Sequence, residues 1–415
     1  MNKSYIALIA AGGMMLCSCS SEEKSGIEDI ETGDASYLWL SVTQRSVAEN
    51  NNALAPQLLS GLLAIEPGKD AVVSPLSASI YYSMLANAAE GESQEFILGL
   101  LGDDDMALRN ELNKICVSEL THGDPGKVRF EMANNIWYNS DLSVNGDAGF
   151  LELMSESYGT ESKSLPFNTS PASSVTELNG WISEKTHGLI NDFYKDDDVF
   201  NLPVAVVNTI YFKGVWSEPF ETSKTKSKPF YSTAGTKLGS VQMMTGEQSG
   251  TIYTGDRGTV ITLGYGRNVY EMKIFVPSGD ITAEEAYREM LYGDSGNHYN
   301  ITLSMPKFKI QTDFVVEEVL GVDMDRWEKA ELSKISQGGS KPVSLGDMRT
   351  RQRAVIEVDE KGSEAAAVTG SFAVGSAGPV YVPATEFVVD HQFYYLIRER
   401  TSGVVIFMGA KLQAN

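Results

Sequence analysis

The chain has 415 residues, of which 42% are hydrophobic and 21% charged, enough apolar side chain for one large core or two ordinary ones, which excludes extended disorder. Its net charge of −22 repels polyphosphates at long range and argues against a nucleic-acid partner.

Residues 1–18 read as a signal peptide: Lys3 supplies the positive end, and an apolar run from Tyr5 to Leu16, broken by Gly12 and Gly13, is too short to span a bilayer. The ending Leu16-Cys17-Ser18-Cys19 resembles the lipobox of bacterial lipoproteins, with Leu16 three places before a Cys19 that would be acylated after cleavage. Cys17 would put Met14 in that place, a poorer match, and an ordinary secretory signal with two incidental cysteines is the alternative. The lipobox reading implies a bacterial envelope protein anchored in the outer membrane through Cys19, on its periplasmic or cell-surface side. Cleavage removes one charge, Lys3, so the mature chain carries −22 − 1 = −23. Cys116 is then the one thiol besides the anchor, so two free thiols for an intrachain disulfide are lacking. Between Leu112 and Leu120 the helical spacing makes Cys116 a small buried hydrophobe rather than a redox group.

Residues 19–36 form a polar, acidic tether, and the folded domain is expected over 37–415. Ser74-Pro75 is a cap followed by the preferred first-turn residue; Leu76, Ile80, Met84 and Leu85 share a helical face, and Gly91 stops the run. A second short helix is expected from Ser93 to Leu101 and another from Val175 to Lys185. β-branched and aromatic runs predict strands at Phe130–Tyr138, Val204–Phe212, Val260–Leu263, Tyr270–Val276, Ile301–Met305, Val355–Val358 and Val404–Met408. This mixture has no regular strand–helix alternation and no repeat period. It predicts an α+β domain with large mixed sheets.

Signatures of enzymes are scarce. His122, His187, His298 and His391 stand in no HExxH setting, and no paired cysteines complete a zinc site. Gly264-Tyr265-Gly266 lacks the third glycine of a dinucleotide loop and reads as part of a hairpin turn. Gly375-Ser376-Ala377-Gly378 is one residue short of a GxSxG elbow. The acidic runs Asp103–Asp105 and Asp196–Asp198 lack the alternating ligands and glycine of a calcium loop and read as solvated turns. Neither a cofactor, a metal nor a catalytic activity is expected.

The decisive segment begins at Glu357. From Glu364 to Glu386 it carries no charge between those two residues and is rich in Gly, Ala, Ser and Val. It is too apolar for an ordinary long loop and too small-sided for an ordinary strand. In an extended chain Ser363, Ala365, Ala367 and Thr369 share one face, all small and uncharged, while Glu364, Ala366, Val368 and Gly370 take the other. Gly362 is a natural hinge. From composition alone, a flexible linker ahead of the last hairpin serves equally well.

The stretch Glu360-Lys-Gly-Ser-Glu-Ala-Ala-Ala-Val-Thr369 resembles the hinge of the serpin family. Further blocks resemble it in order along nearly the whole chain: Val73–Ser77, Ala133–Trp137, Asn179–Ile182, Thr186–Ile190, Val207–Trp216, Val241–Met244, Pro306–Lys309, Asp390–Phe393 and Val405–Gly409. Two positions depart from the family: Leu263-Gly264-Tyr265 stands where many serpins have Leu-Pro-Tyr, and Gln352 replaces the shutter histidine.

The resemblance implies a serpin fold, with mixed helices, three β-sheets and an exposed reactive loop over about 362–385. It implies a five-stranded central sheet that admits the cleaved loop as a new strand and so traps a peptidase as a covalent acyl complex. By resemblance Glu360, Gly362, Ser363, Glu364, Ala365, Ala366, Ala367, Val368 and Thr369 form the hinge. Ser74, Ser77, Asn208, Gln352, Trp216 and Lys307 line the shutter and breach, with Gln352 directed at Asn208 and Lys307 at Glu360. Counting from Glu360 puts the reactive bond at Ser376-Ala377, and counting back from Phe387 moves it towards Tyr381. Small residues around Ser376 imply an elastase- or subtilisin-like serine endopeptidase as partner of a monomeric inhibitor, with a papain-like cysteine peptidase as second choice; a non-inhibitory serpin is the other alternative.

Overall fold

The computed structural model describes residues 33–102, 105–337, 341–348, 350–363 and 384–414. Residues 1–32, on which the expected signal peptide, Cys19 and most of the expected tether fall, and residues 364–383 lie outside the described residues.

The described residues form an α+β fold with three sheets. The largest runs in the order Ala71–Val73, Val405–Lys411, Phe393–Glu399, Tyr270–Pro277, Gly258–Tyr265, Lys237–Gly255, Asn297–Pro306 and Ala384–Val388, with Lys226–Tyr231 also paired to Lys237–Gly255. A second sheet runs Phe308–Val315, Arg351–Val358, Gly362–Ser363, Val204–Val215, Val128–Asn139 and Glu161–Leu165, and a small third one joins Lys341–Ser344, Glu331–Gln337 and Val144–Gly146.

The helix Pro75–Ala88 packs against strands of both large sheets, Val204–Val215 and Val405–Lys411, and is buried along almost its whole length. Its start is the one read from the sequence: Ser74 caps it, accepting from the Ser77 amide at 3.2 Å, and Pro75 takes the first turn, where a missing N–H costs nothing. On the other face of the six-stranded sheet the helix Pro171–Lys185 seals a smaller core with Leu178, Ile182 and Trp137.

Several expectations shift. Gly91, at φ +54°, opens the helix Gly91–Leu100, while the preceding helix has already ended at Ala88. Asp196–Asp198 form a one-turn helix, Asp196–Val199, and Asp105 caps the helix Met106–Glu119. Asp105 and the run Asp196–Asp198 thus serve helix starts rather than bare turns, because a carboxylate satisfies free amides there. Gly264 lies within a strand, and Gly266, at φ +53°, makes the turn into Tyr270. Cys116 is buried, and its thiol is pushed up to about 12 by burial and by the nearby Glu399 carboxylate. The expected loop over 362–385 is shorter at both described ends. Gly362 and Ser363 pair into the six-stranded sheet, and Ala384 and Thr385 pair in parallel with Asn300 and Ile301 of the largest.

A split sheet as the candidate functional site

Among the described residues, strands Val204–Val215 and Arg351–Val358 are joined at one end alone, through the two-residue strand Gly362–Ser363. Gly362 pairs with Val215, and Ser363 with Gly214 on one side and Val358 on the other. Further along, no strand among the described residues stands between them, and the sheet has the expected five strands with a sixth just begun. The gap is floored by Ser74, Ser77, Tyr81 and Tyr82, walled by Val206–Ile210 and Thr350–Val355, and covered by Ile182, Thr186, Leu189, Ile190, Phe193 and Tyr194. It encloses about 60 Å³, the share of roughly two water molecules. Two strand edges facing one another are a template for one added strand.

At the joined end the chain reverses in a tight turn. The Asp359 amide donates to the Gly362 carbonyl at 2.8 Å and the Lys361 amide to the Asp359 carboxylate at 2.8 Å. Gly362 sits at φ +151°, and a Cβ there would lie 1.9 Å from the Gly214 carbonyl oxygen; glycine is required by both conformation and space. Ser363 is buried with its Oγ 2.7 Å from the Tyr265 hydroxyl. Tyr265 stacks on Trp216 at 4.5 Å and 12°. Trp216 in turn donates from Nε1 to the Asp359 carbonyl at 2.9 Å and from its amide to the Lys361 carbonyl at 2.8 Å. Burial holds the Tyr265 phenol far above its ordinary range, so it remains a neutral hydrogen-bonding partner.

Glu360 is buried beside this turn. Lys307 Nζ donates to its Oε2 at 3.1 Å and Thr225 Oγ1 to its Oε1 at 2.7 Å, while the Phe220 amide donates to its carbonyl at 2.7 Å. Burial acts to raise its carboxyl pKa, but the Thr225 and Lys307 hydrogen bonds and the Lys307 charge outweigh it. The carboxyl is held below its usual range. Glu360, Gly362, Ser363, Trp216 and Lys307 therefore meet in one place, together with Tyr265 and Thr225, which sequence reasoning did not assign. The departure at Leu263-Gly264-Tyr265 is Gly264, not Tyr265, and no spacing rule connects Tyr265 to a serine 98 positions away.

The expected contact between Gln352 and Asn208 is absent. Alternation along Arg351–Val358 points Gln352 inward, where its Oε1 accepts from the Ser74 amide and its Nε2 donates to the Ser74 carbonyl, both at 3.0 Å. Asn208 lies on the far wall of the gap and donates instead to Asn134 Oδ1 at 2.7 Å, on the neighbouring strand. Its own Oδ1 is buried with no partner among the described residues. Ser74 also donates from Oγ to the Ile406 carbonyl at 2.8 Å, tying the helix start to the largest sheet. The remaining named residues, Glu364, Ala365, Ala366, Ala367, Val368, Thr369, Ser376, Ala377 and Cys19, lie outside the described residues.

A family model, "Serpin (serine protease inhibitor)", matches residues 49–413. The chain belongs to the serpin family. Among curated relatives, Serpin-Z10 of Arabidopsis thaliana is 27% identical over 88% of this chain and 97% of its own length. Serpin-Z2A of Triticum aestivum is 30% identical over 81% of this chain and 88% of its own. Serpin48 of the insect Tenebrio molitor has the same fold, with a TM-score of 0.72 at 23% identity over 91% of this chain and 100% of that one. Serpins are generally protease inhibitors rather than enzymes, although some members are non-inhibitory. In this serpin the split between Val204–Val215 and Arg351–Val358 lies in the six-stranded sheet, with Gly362–Ser363 at its joined end.

Proposed function

We propose that this serpin is a suicide inhibitor of a serine endopeptidase, acting by loop cleavage and strand insertion. The observation that carries the reading is the position of Ser363. It is already seated between the two walls, so a strand continued from it would run along the gap. On its face come Ala365, Ala367 and Thr369, which can be buried without strain. The unmet Asn208 Oδ1 in the gap wall is an acceptor that an entering strand can satisfy. About ten newly paired residues at roughly 0.5–1.5 kcal/mol per hydrogen bond release on the order of 10 kcal/mol. That suffices to drag an acylated peptidase out of its working geometry before water frees it.

The reactive bond we assign is Ser376-Ala377, and its small neighbours fit an elastase- or subtilisin-like pocket. The inhibitor works as a monomer in a bacterial envelope, anchored in the outer membrane by lipid on Cys19. Incubation with small-pocket serine peptidases should give an SDS-stable complex and release a C-terminal fragment that begins at Ala377. A fragment beginning after Tyr381 moves the site. A complex with a papain-like peptidase alone changes the target class, and cleavage without any complex places the chain among the non-inhibitory serpins.

A further inference from the structure

The segment that follows the helix Pro171–Lys185 crosses the gap from one side to the other and is tied at both ends. At its start the His187 ring lies 4.4 Å from that of Tyr211, on Val204–Val215, and His187 Nε2 is 2.6 Å from Glu131 Oε2, on Val128–Asn139. At its end, Phe193 is held by two arginines of the opposite wall: the guanidinium carbons of Arg351 and Arg353 lie 5.5 and 5.6 Å from its ring centre. Arg351 Nη1 also donates to the Phe193 carbonyl at 2.8 Å, and Arg353 Nη1 to Asp192 Oδ1 at 3.0 Å. Both guanidinium groups are fixed from behind by Asp313 on the next strand, with Arg353 Nε donating to Oδ2 at 2.8 Å and Arg351 Nη2 to the same oxygen at 2.5 Å. Between the two anchors Leu189, Ile190 and Tyr194 form the outer cover of the gap.

A strand needs its two flanking strands about 9–10 Å apart, two strand spacings, and the enclosed space of about 60 Å³ is far too small for one. The walls must move, and hydrogen bonds of this length do not survive a displacement of an ångström or more. A segment fastened to both walls therefore resists opening until one anchor releases. Of the two, the Phe193 end carries two preset guanidinium forks on the wall that the incoming strand must pair with.

We propose that Phe193 with Arg351 and Arg353 is a clamp across the gap whose release sets the rate of loop insertion, and that Arg353 is its chief positioning residue. The clamp holds the uncleaved molecule in its unfilled state and yields only when the freed loop supplies new backbone pairing. This rests on the insertion step of the proposed function and adds what controls its speed.

The test uses the soluble mature chain. The loop is nicked with a metallopeptidase, which forms no acyl-enzyme that could be trapped, and the appearance of a heat-resistant form is followed in time. Arg353→Gln and Phe193→Ala should each speed that step about tenfold, equivalent to about 1.4 kcal/mol. Arg353→Lys, which keeps the charge but not the fork, should fall between Gln and wild type, and Asp192→Asn, at an 89% exposed side chain, should change the rate about twofold. The thermal midpoint of the fully inserted form should be the same in Phe193→Ala and Asp192→Asn as in wild type, which a general loss of stability would not allow. Should Arg353→Gln fail to fold, wild type and Asp192→Asn decide: raising salt must speed insertion of wild type, and a rate indifferent to both salt and Asp192→Asn overturns the clamp. Insertion at the wild-type rate, or slower, in Arg353→Gln or Phe193→Ala overturns it as well. If nicked wild type never becomes heat-resistant, the insertion reading itself has failed.

Discussion

Glu317 offers a direct electrostatic test of the packing beneath the gap. It is 3% exposed, lies on the short helix Val316–Leu320, and accepts from the Tyr82 hydroxyl at 3.1 Å. Burial raises its carboxyl from the ordinary 4.5 to about 7, with the Glu318 charge adding to it; hydrogen bonds from Thr350, its own amide and Tyr82 offset only part. Between pH 4.5 and 7 the folded protein keeps a proton that the unfolded chain has released, so stability falls as pH rises across that window. At 1.36 kcal/mol per unit, the shift amounts to about 3 kcal/mol, fully lost above pH 7. Glu317→Gln keeps the size and the hydrogen-bond acceptor without the charge. It should leave the thermal midpoint near wild type at pH 4.5 and raise it at pH 8. With an unfolding entropy of about 2.1 cal/mol/K per residue, a domain of this size gains roughly 4 °C. Circular-dichroism melts at one scan rate and ionic strength, from pH 4.5 to 8, measure this. An offset independent of pH, or a variant less stable than wild type at pH 8, would refute the assignment of a protonated, buried Glu317.

Three other outcomes are expected. Ser363→Arg puts a charge into a buried site against Tyr265, at a cost of several kcal/mol, and should turn the inhibitor into a substrate; an unchanged stoichiometry of inhibition counts against insertion from this residue. Glu360→Gln weakens the bonds to Lys307 and Thr225, and at pH 7 should shorten the lifetime of the active form on warming a few-fold. Because the folded Glu360 carboxyl is held below its ordinary 4.5, its contribution is present above about pH 4.5 and lost as pH falls below that, so variant and wild type should converge in acid; native gels showing equal lifetimes at pH 7 would remove the latch. Cys19→Ala should move the protein from the membrane to the soluble fraction while Cys17→Ala should not, and identical fractionation of the two would discard the lipobox.

Much of the fold was legible where chemistry is local. The cap at Ser74-Pro75 depends on its own amides. The β-branched runs at Val204 and Tyr270 suit a pleated surface, and the small residues after Gly362 state that this stretch can be buried as a strand. The long helix Val42–Ile65 was not legible, since Asn50, Asn51, Asn52 and Pro56 are poor helix formers; it stands because Val47, Leu54, Leu58, Leu59 and Leu62 are buried in the core. Strand Lys237–Gly255 was equally hidden by its glycines, one of which, Gly250, runs so close to the Thr262 carbonyl that a Cβ would lie 2.4 Å from it.

Sequence alone determined the family, and it gave the expectation of a hinge with a small side-chain face, because each depends on residue type and order within a short stretch. Tertiary structure alone decided the partners. Gln352 holds Ser74 and not Asn208, because the unfilled gap lies between them and the strand's alternation points Gln352 at the helix start. Ser363 meets Tyr265, Phe193 meets Arg351 and Arg353, and Glu317 is kept in a medium that retains its proton. These are contacts between segments far apart in the chain, set by how the sheets and helices stack, and no local pattern encodes them.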